Sequence, residues 1–284
     1  MAERADERGE LLSLLQFYRD AGVTDAVEEA AVDRFALADL PPPILPAEPQ
    51  TSSQRPARTS LLPQQPAAPP KPRAVPAVPD EGQAALAREQ AAAARTLDEL
   101  KAAMEAFNGC NLKFTAKNIV FADGDPQADL MLVGEAPGRD EDIEGLPFVG
   151  RSGQLLDRML KAIGRDRASA YVANVLPWRP PGNRTPTPLE TEICRPFIER
   201  QIELANPRVL VALGGSSAKV LLRTADGIMR LRGGWQTYVT PGGTEIPIMP
   251  TLHPAYLLRN PAHKKLAWRD FLEVKARLRA LGGG

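Results

Sequence analysis

Leu130-Met131-Leu132-Val133-Gly134-Glu135-Ala136-Pro137-Gly138 is the stretch whose reading decides the fold. A short apolar run stopped by glycine reads as a strand buried on both faces, the pattern of a parallel sheet. The chain then enters a loop with a carboxylate (Glu135), the acidic cluster Asp140-Glu141-Asp142, and the aromatic Phe148 after Pro147. In open α/β sheets, ligands sit in the crevice beyond the carboxyl ends of strands. Strand-to-helix loops also carry Gly and Pro for geometry alone, so this loop by itself leaves site and scaffold both open.

Further strands are expected at Tyr171–Val175, Val209–Leu213 and Ile246–Thr251, with helices near Ser152–Ile163, Pro188–Ala205, Ser216–Leu222 and His263–Leu281. Strands alternating with helices on this spacing predict a parallel sheet covered on both faces. The strand from Tyr171 ends at Asn174 and leads to Arg179-Pro-Pro-Gly-Asn183-Arg184, a Pro/Gly-rich loop. The strand before Thr251 runs into His253-Pro254-Ala255-Tyr256-Leu257-Leu258-Arg259. Pro254 is expected to hold the chain out of helix directly after the imidazole. Three strand ends thus offer Glu135, Asn174 and His253, with Asn183 close in sequence.

Composition divides the 284 residues into three parts. Residues 1–40 read as two short helices, with Leu11, Leu12, Leu14, Leu15 and Phe17 before a break at Gly22 and Thr24 near the second start. Such a pair is too small for its own core and is expected to dock on the body or on a protein partner. Residues 41–80 hold 13 of the 28 prolines and read as an extended, disordered linker. Residues 81–284 form the main domain, led in by a helix over 81–107 that ends at Asn108-Gly109. Charge divides too. Residues 1–99 carry 10 Lys/Arg against 16 Asp/Glu, and residues 100–284 carry 25 against 19, a basic body that suits a polyanion. No apolar run is long enough for a membrane span, and Met1-Ala-Glu-Arg-Ala-Asp-Glu-Arg8 is too acidic and polar for a secretion signal. With only two cysteines, a disulfide-stapled fold is not expected, and a cytoplasmic location is.

From about Leu100 onward the chain resembles the uracil-DNA glycosylase superfamily, most closely its family 4, which normally carries an iron–sulfur cluster. The resemblance rests on Gly134-Glu-Ala-Pro-Gly138 with Glu141-Asp142, on Gly145-Leu-Pro-Phe148-Val-Gly150 and the residues to Leu156, on Asn174 with Arg179–Arg184, and on His253–Arg259. It implies a three-layer α/β/α sandwich with a central four-stranded parallel sheet, and DNA containing uracil as partner. His253 would donate to the uracil O2 as negative charge develops on the departing base. The Asn174 amide would pair with O4 and N3–H, a pattern that cytosine inverts. Phe148 would stack on the base. Well-known uracil glycosylases hold a water-activating Asp at the place of Ala136, so Glu135, with Glu141 and Asn183, would have to substitute. Leu257 and Leu258 would wedge into the minor groove with Arg259 on phosphate. Arg184, Arg151, Arg179 and Lys264 are further phosphate candidates. His263 would be a solvent-facing residue without chemistry. No histidine lies between Asn174 and His253, so the covalent DNA trapping known from one variant of the family is not expected.

One departure stands out. Family 4 places four cysteines around a [4Fe–4S] cluster, and the corresponding positions here read Cys110, Lys113, Trp178 and Cys194. Two thiols cannot supply four ligands. The cluster site is therefore expected to be vestigial and empty, with Trp178 filling the vacated volume and Lys113 turned outward. No cofactor is expected. Two rivals stand beside the enzyme reading: a catalytically weak or inactive DNA-binding module of the same fold, and a nucleotide-binding α/β protein. The latter lacks any G-x-x-x-x-G-K-[ST] or G-x-G-x-x-G stretch.

Overall fold

The computed structural model describes residues 81–282. The N-terminal helices expected in 1–40 and the linker in 41–80 lie outside the described residues.

Six strands form one sheet: β1 (Ala122–Gly124), β2 (Leu130–Gly134), β3 (Tyr171–Asn174), β4 (Val209–Leu213), β5 (Gln236–Val239) and β6 (Glu245–Thr251). Their order is β1-β3-β2-β4-β6-β5. The inner four, β3-β2-β4-β6, are parallel, as expected. Two antiparallel edge strands complete the sheet, and both escape the sequence reading. In β1, Ala-Asp-Gly shows no alternation, and β5 buries only Tyr238.

Alternate residues of each inner strand face opposite layers, as a two-residue side-chain period requires. Met131, Val133, Leu210, Ala212 and Ile248 pack against helices α1 (Glu81–Ala93), α2 (Leu97–Ala106), α6 (Pro188–Ala205) and α7 (Gly215–Leu222). Leu130, Leu132, Val209, Val211 and Met249 face α5 (Arg151–Ala162) and α10 (Lys264–Ala280), through Leu156, Leu160, Phe271 and Val274. The result is the three-layer sandwich. Short helices fill the connections: α3 (Leu112–Thr115), α4 (Arg139–Glu144), α8 (Ile228–Leu231) and α9 (Pro254–Arg259). Among the described residues, no helix is long and apolar enough to cross a membrane.

Two expectations about helices need correction. The single lead-in helix over 81–107 is two helices, because Thr96 caps α2 by accepting the Glu99 N–H at 3.1 Å. Glu99 in turn accepts the Arg95 N–H at 2.7 Å, a capping pattern stronger than the Ala-rich run preceding it. Pro254 does not delay a helix; it starts one. It occupies the first turn of α9, where its missing N–H costs nothing, and His253 is the N-cap.

Candidate active site

The carboxyl ends of β2, β3 and β6 open on one cavity of about 420 Å³, lined by Glu135, Phe148, Asn174, Asn183, His253 and Tyr256 among others. From β2 the chain goes on to β3 at one side and from the neighbouring β4 to β5 and β6 at the other, and a crevice forms where the direction reverses. The three expected strand-end groups do meet.

Asn174 is buried at the end of β3. Its Oδ1 is inaccessible and has no hydrogen-bond partner. A buried amide oxygen without a donor costs about 1–3 kcal/mol, so a ligand N–H that reached it would recover that cost. The amide and the Phe148 ring can approach the backbone of β2 this closely because residue 134 is glycine. A Cβ there would lie 2.3 Å from Asn174 Oδ1 and 2.6 Å from Phe148 Cζ.

His253 accepts the Ala255 N–H at Nδ1, at 3.1 Å, as part of the α9 cap. The proton of the neutral ring must therefore sit on Nε2. Burial, assisted by the Arg259 charge, pushes the imidazole pKa down to about 4. At neutral pH the ring is uncharged and available as a donor from Nε2. Gly214, with φ +97°, lets β4 pass close beneath it; a Cβ there would lie 3.0 Å from the His253 Cβ.

Phe148 faces His253 with ring centroids 5.6 Å apart and planes 30° from parallel. Its backbone φ is +56°, a region in which a bulky side chain is an outlier.

Several of the other expected residues have different tasks. Glu141 lines the cavity, yet both of its oxygens are occupied. Oε2 accepts the Gly138 N–H at 3.0 Å, and Oε1 accepts those of Val149 and Gly150 at 3.1 Å each. Its geometry is that of a loop brace, with three backbone N–H groups on its two oxygens. Asp142 likewise accepts the Lys117 and Asn118 N–H groups. Glu135 reaches the cavity from the end of β2 with no backbone clamp among the described contacts, and Ala136 lines the wall beside it. Asn183 stands in a left-handed turn with φ +55°, its Oδ1 held by Arg179 Nε at 2.7 Å.

Leu257 is not a wedge. It is 1% exposed and packs with Leu155, Leu252 and Ala267. Leu258 remains partly exposed, and Arg259 is exposed at the cavity rim. Arg184 also lines the rim, but its guanidinium forks onto Glu190 at 2.9 and 2.6 Å, so it arrives already neutralised. Arg151 and Lys264 are exposed on the surface. His263 pairs with the Tyr256 hydroxyl at 2.7 Å and stacks on its ring, contrary to the solvent-facing expectation. Tyr256 itself, a cavity-lining residue, carries no local signal that separates it from its motif.

The uracil DNA glycosylase superfamily matches residues 121–272, which hold all the cavity groups described. The chain belongs to the uracil DNA glycosylase superfamily. Among curated proteins it is similar to the type-4 uracil-DNA glycosylase of Sulfurisphaera tokodaii, 38% identical over 186 residues covering 63% of this chain and 84% of that protein. The type-4 enzyme of Archaeoglobus fulgidus is 38% identical over 184 residues, with 63% and 92% covered. That of Thermotoga maritima is 38% identical over 179 residues, with 61% and 90% covered.

Within the superfamily the family-4 resemblance implies a [4Fe–4S] cluster, and the residues of this chain do not fit one. Cys194 and Cys110 are both buried, and their sulfurs lie in contact at 3.7 Å with the Cys194 thiol donating. Trp178, 2% exposed, packs in the same core cluster. Lys113 turns away, its Nζ donating to the Glu105 and Phe107 carbonyls and to Asn108 Oδ1, where it caps the end of α2. Among the described residues, no three Cys, His, Asp or Glu are grouped to hold a metal.

Proposed function

We propose that this chain is a uracil-DNA glycosylase of base-excision repair that hydrolyses the N-glycosidic bond of uracil in DNA without an iron–sulfur cluster. The observation that carries this reading is one cavity lined by Asn174, whose Oδ1 has no partner, by Phe148 and by a neutral His253. Uracil extruded from the helix offers the N3–H that this oxygen lacks, while the Asn174 amide donates to O4. As the C1′–N1 bond breaks, its electron pair goes to the base and spreads onto O2. His253 Nε2–H stabilises that charge, which a neutral donor does without the cost of carrying its own proton load. Water attacks C1′ of the sugar cation. Glu135, which lines the same cavity, orients that water and accepts its proton.

The cluster in family 4 would brace the loop between Trp178 and Cys194. Here the buried Trp178 ring, the Arg179–Asn183 hydrogen bond and the Arg184–Glu190 fork take that place. Residues 1–80 would tether the enzyme to a protein partner, and the cytoplasm is its expected location.

Uracil-containing single- and double-stranded oligonucleotides, with alkaline cleavage of the resulting abasic sites, test the reading. Strand scission by the wild type, lost in Asn174→Ala and His253→Ala, supports it. DNA binding without scission would make the chain a binding module of the same fold instead.

A further inference from the structure

Phe148 adopts its left-handed backbone without the usual reasons. The other non-glycine residues with positive φ among the described ones are Asn183, Asn206 and Arg223. Asparagine tolerates this region, and Asn206 and Arg223 are helix C-caps. Phe148 is a buried aromatic at neither kind of position. Something outside the residue must hold it there.

The peptides on either side of it are gripped from opposite directions by opposite charges. Arg167 donates from Nη2 to the Phe148 carbonyl at 2.6 Å and from Nη1 to the Pro147 carbonyl at 3.1 Å. On the far side, Glu141 Oε1 accepts the Val149 and Gly150 N–H groups. Arg167 is itself locked in place. Its Nη1 also meets Asp123 of β1 at 2.9 Å, and its Nε meets Asp157 of α5 at 2.7 Å. A planar guanidinium can serve these directions at once; an ammonium cannot. The Phe148 carbonyl also overlies Gly153, where a Cβ would lie 1.6 Å from its oxygen.

We infer that Arg167 is a positioning residue for the reaction, holding the base-stacking face of Phe148 in the cavity wall by fixing the backbone on which the ring is mounted. The inference rests on the proposed uracil-excising function, since it assigns Phe148 the stack on the base. It also gives the edge strand β1 a task, because Asp123 anchors the guanidinium.

Two readouts on Arg167→Met and Arg167→Lys test it. The first is independent of activity: the Cα and Cβ NMR chemical shifts of Phe148, which report its backbone conformation. In Arg167→Met they should leave left-handed values, and in Arg167→Lys shift part of the way. The second is kinetic. KM for a uracil-containing single-stranded oligonucleotide should rise about tenfold, the scale of one base–aromatic stack, with kcat changed less than about threefold. Phe148→Ala should raise KM similarly, and adding Arg167→Met to it should add nothing, since both remove one stack. A merely structural Arg167 would lower the melting temperature and the active fraction and leave KM alone. Where Arg167→Met does not fold, Arg167→Lys carries both readouts. Left-handed Phe148 shifts retained in the variants, or independent effects of the two substitutions on KM, would overturn the inference. A wild type that releases no uracil would remove the proposed function, and the chemical shifts would still decide whether Arg167 holds Phe148.

Discussion

The buried carboxylate of Asp270 accepts the hydroxyl of Thr251 at 2.6 Å, tying α10 to the end of β6 two residues before His253. The same carboxylate is forked by Arg232, whose Nε lies 3.1 Å away. Removing one partner of a buried pair leaves an uncompensated charge, which typically costs about 3–5 kcal/mol. Asp270→Ala should lower stability by that amount, read from the midpoint of urea unfolding. The protein that remains folded should lose activity as well, because the His253 backbone loses its anchor.

The pH dependence of activity should show no break near 6.5, the ordinary imidazole value. The His253 pKa of about 4 keeps the ring neutral through that range. Stability carries the matching signature. The folded pKa lies below the unfolded one, so between about pH 4 and 6.5 the unfolded state binds the extra proton. The contribution is therefore complete above 6.5 and is lost as pH falls towards 4. A wild-type stability curve that declines through this window more steeply than that of His253→Asn is the expected result.

Gly134→Ala should lower the rate of base excision about 100-fold while leaving a folded protein. The new methyl would press on Asn174 Oδ1 and the Phe148 ring, both at under 3 Å. Overpacking of this kind costs about 1–3 kcal/mol of stability. A displacement of about 1 Å in the pocket lowers the rate about 100-fold. Single-turnover kinetics separate this from a binding defect.

The two carboxylates near the cavity should respond differently to neutralisation. Glu135→Gln should lower kcat by about 100-fold or more with the melting temperature unchanged, as loss of a general base does. Glu141→Gln should lower the melting temperature, since it weakens three backbone clamps at once. Parallel melting curves and single-turnover rates distinguish the two.

Protein purified anaerobically should contain no stoichiometric iron by elemental analysis and show no broad visible absorbance. A Cys110→Ala, Cys194→Ala double variant should excise uracil within about threefold of the wild type, because small volume changes in a well-packed core act mainly on stability. Iron bound at about four per chain would defeat the cluster-less reading.

The sequence by itself determined the parallel inner sheet, most of the covering helices, and the placing of Glu135, Asn174 and His253 at strand ends. These come from nearest-neighbour properties: the length of apolar runs, the glycines that stop them, and short motifs after each strand. Only the tertiary structure decided which carboxylate is free, which leucine is buried and what holds Phe148. Glu141 and Glu135 look alike along the chain, and they separate only when Val149 and Gly150 fold back onto one of them. Leu257 and Leu258 are adjacent, and helical rotation sends the first into the core and leaves the second partly exposed. Arg167 meets Asp123 across 44 residues and Phe148 across 19, from a single 3-10 turn (Arg167–Ser169) too short to show a periodicity. Local pattern records what a segment must bury. Which distant polar group completes it is settled when the sheet brings the segments together.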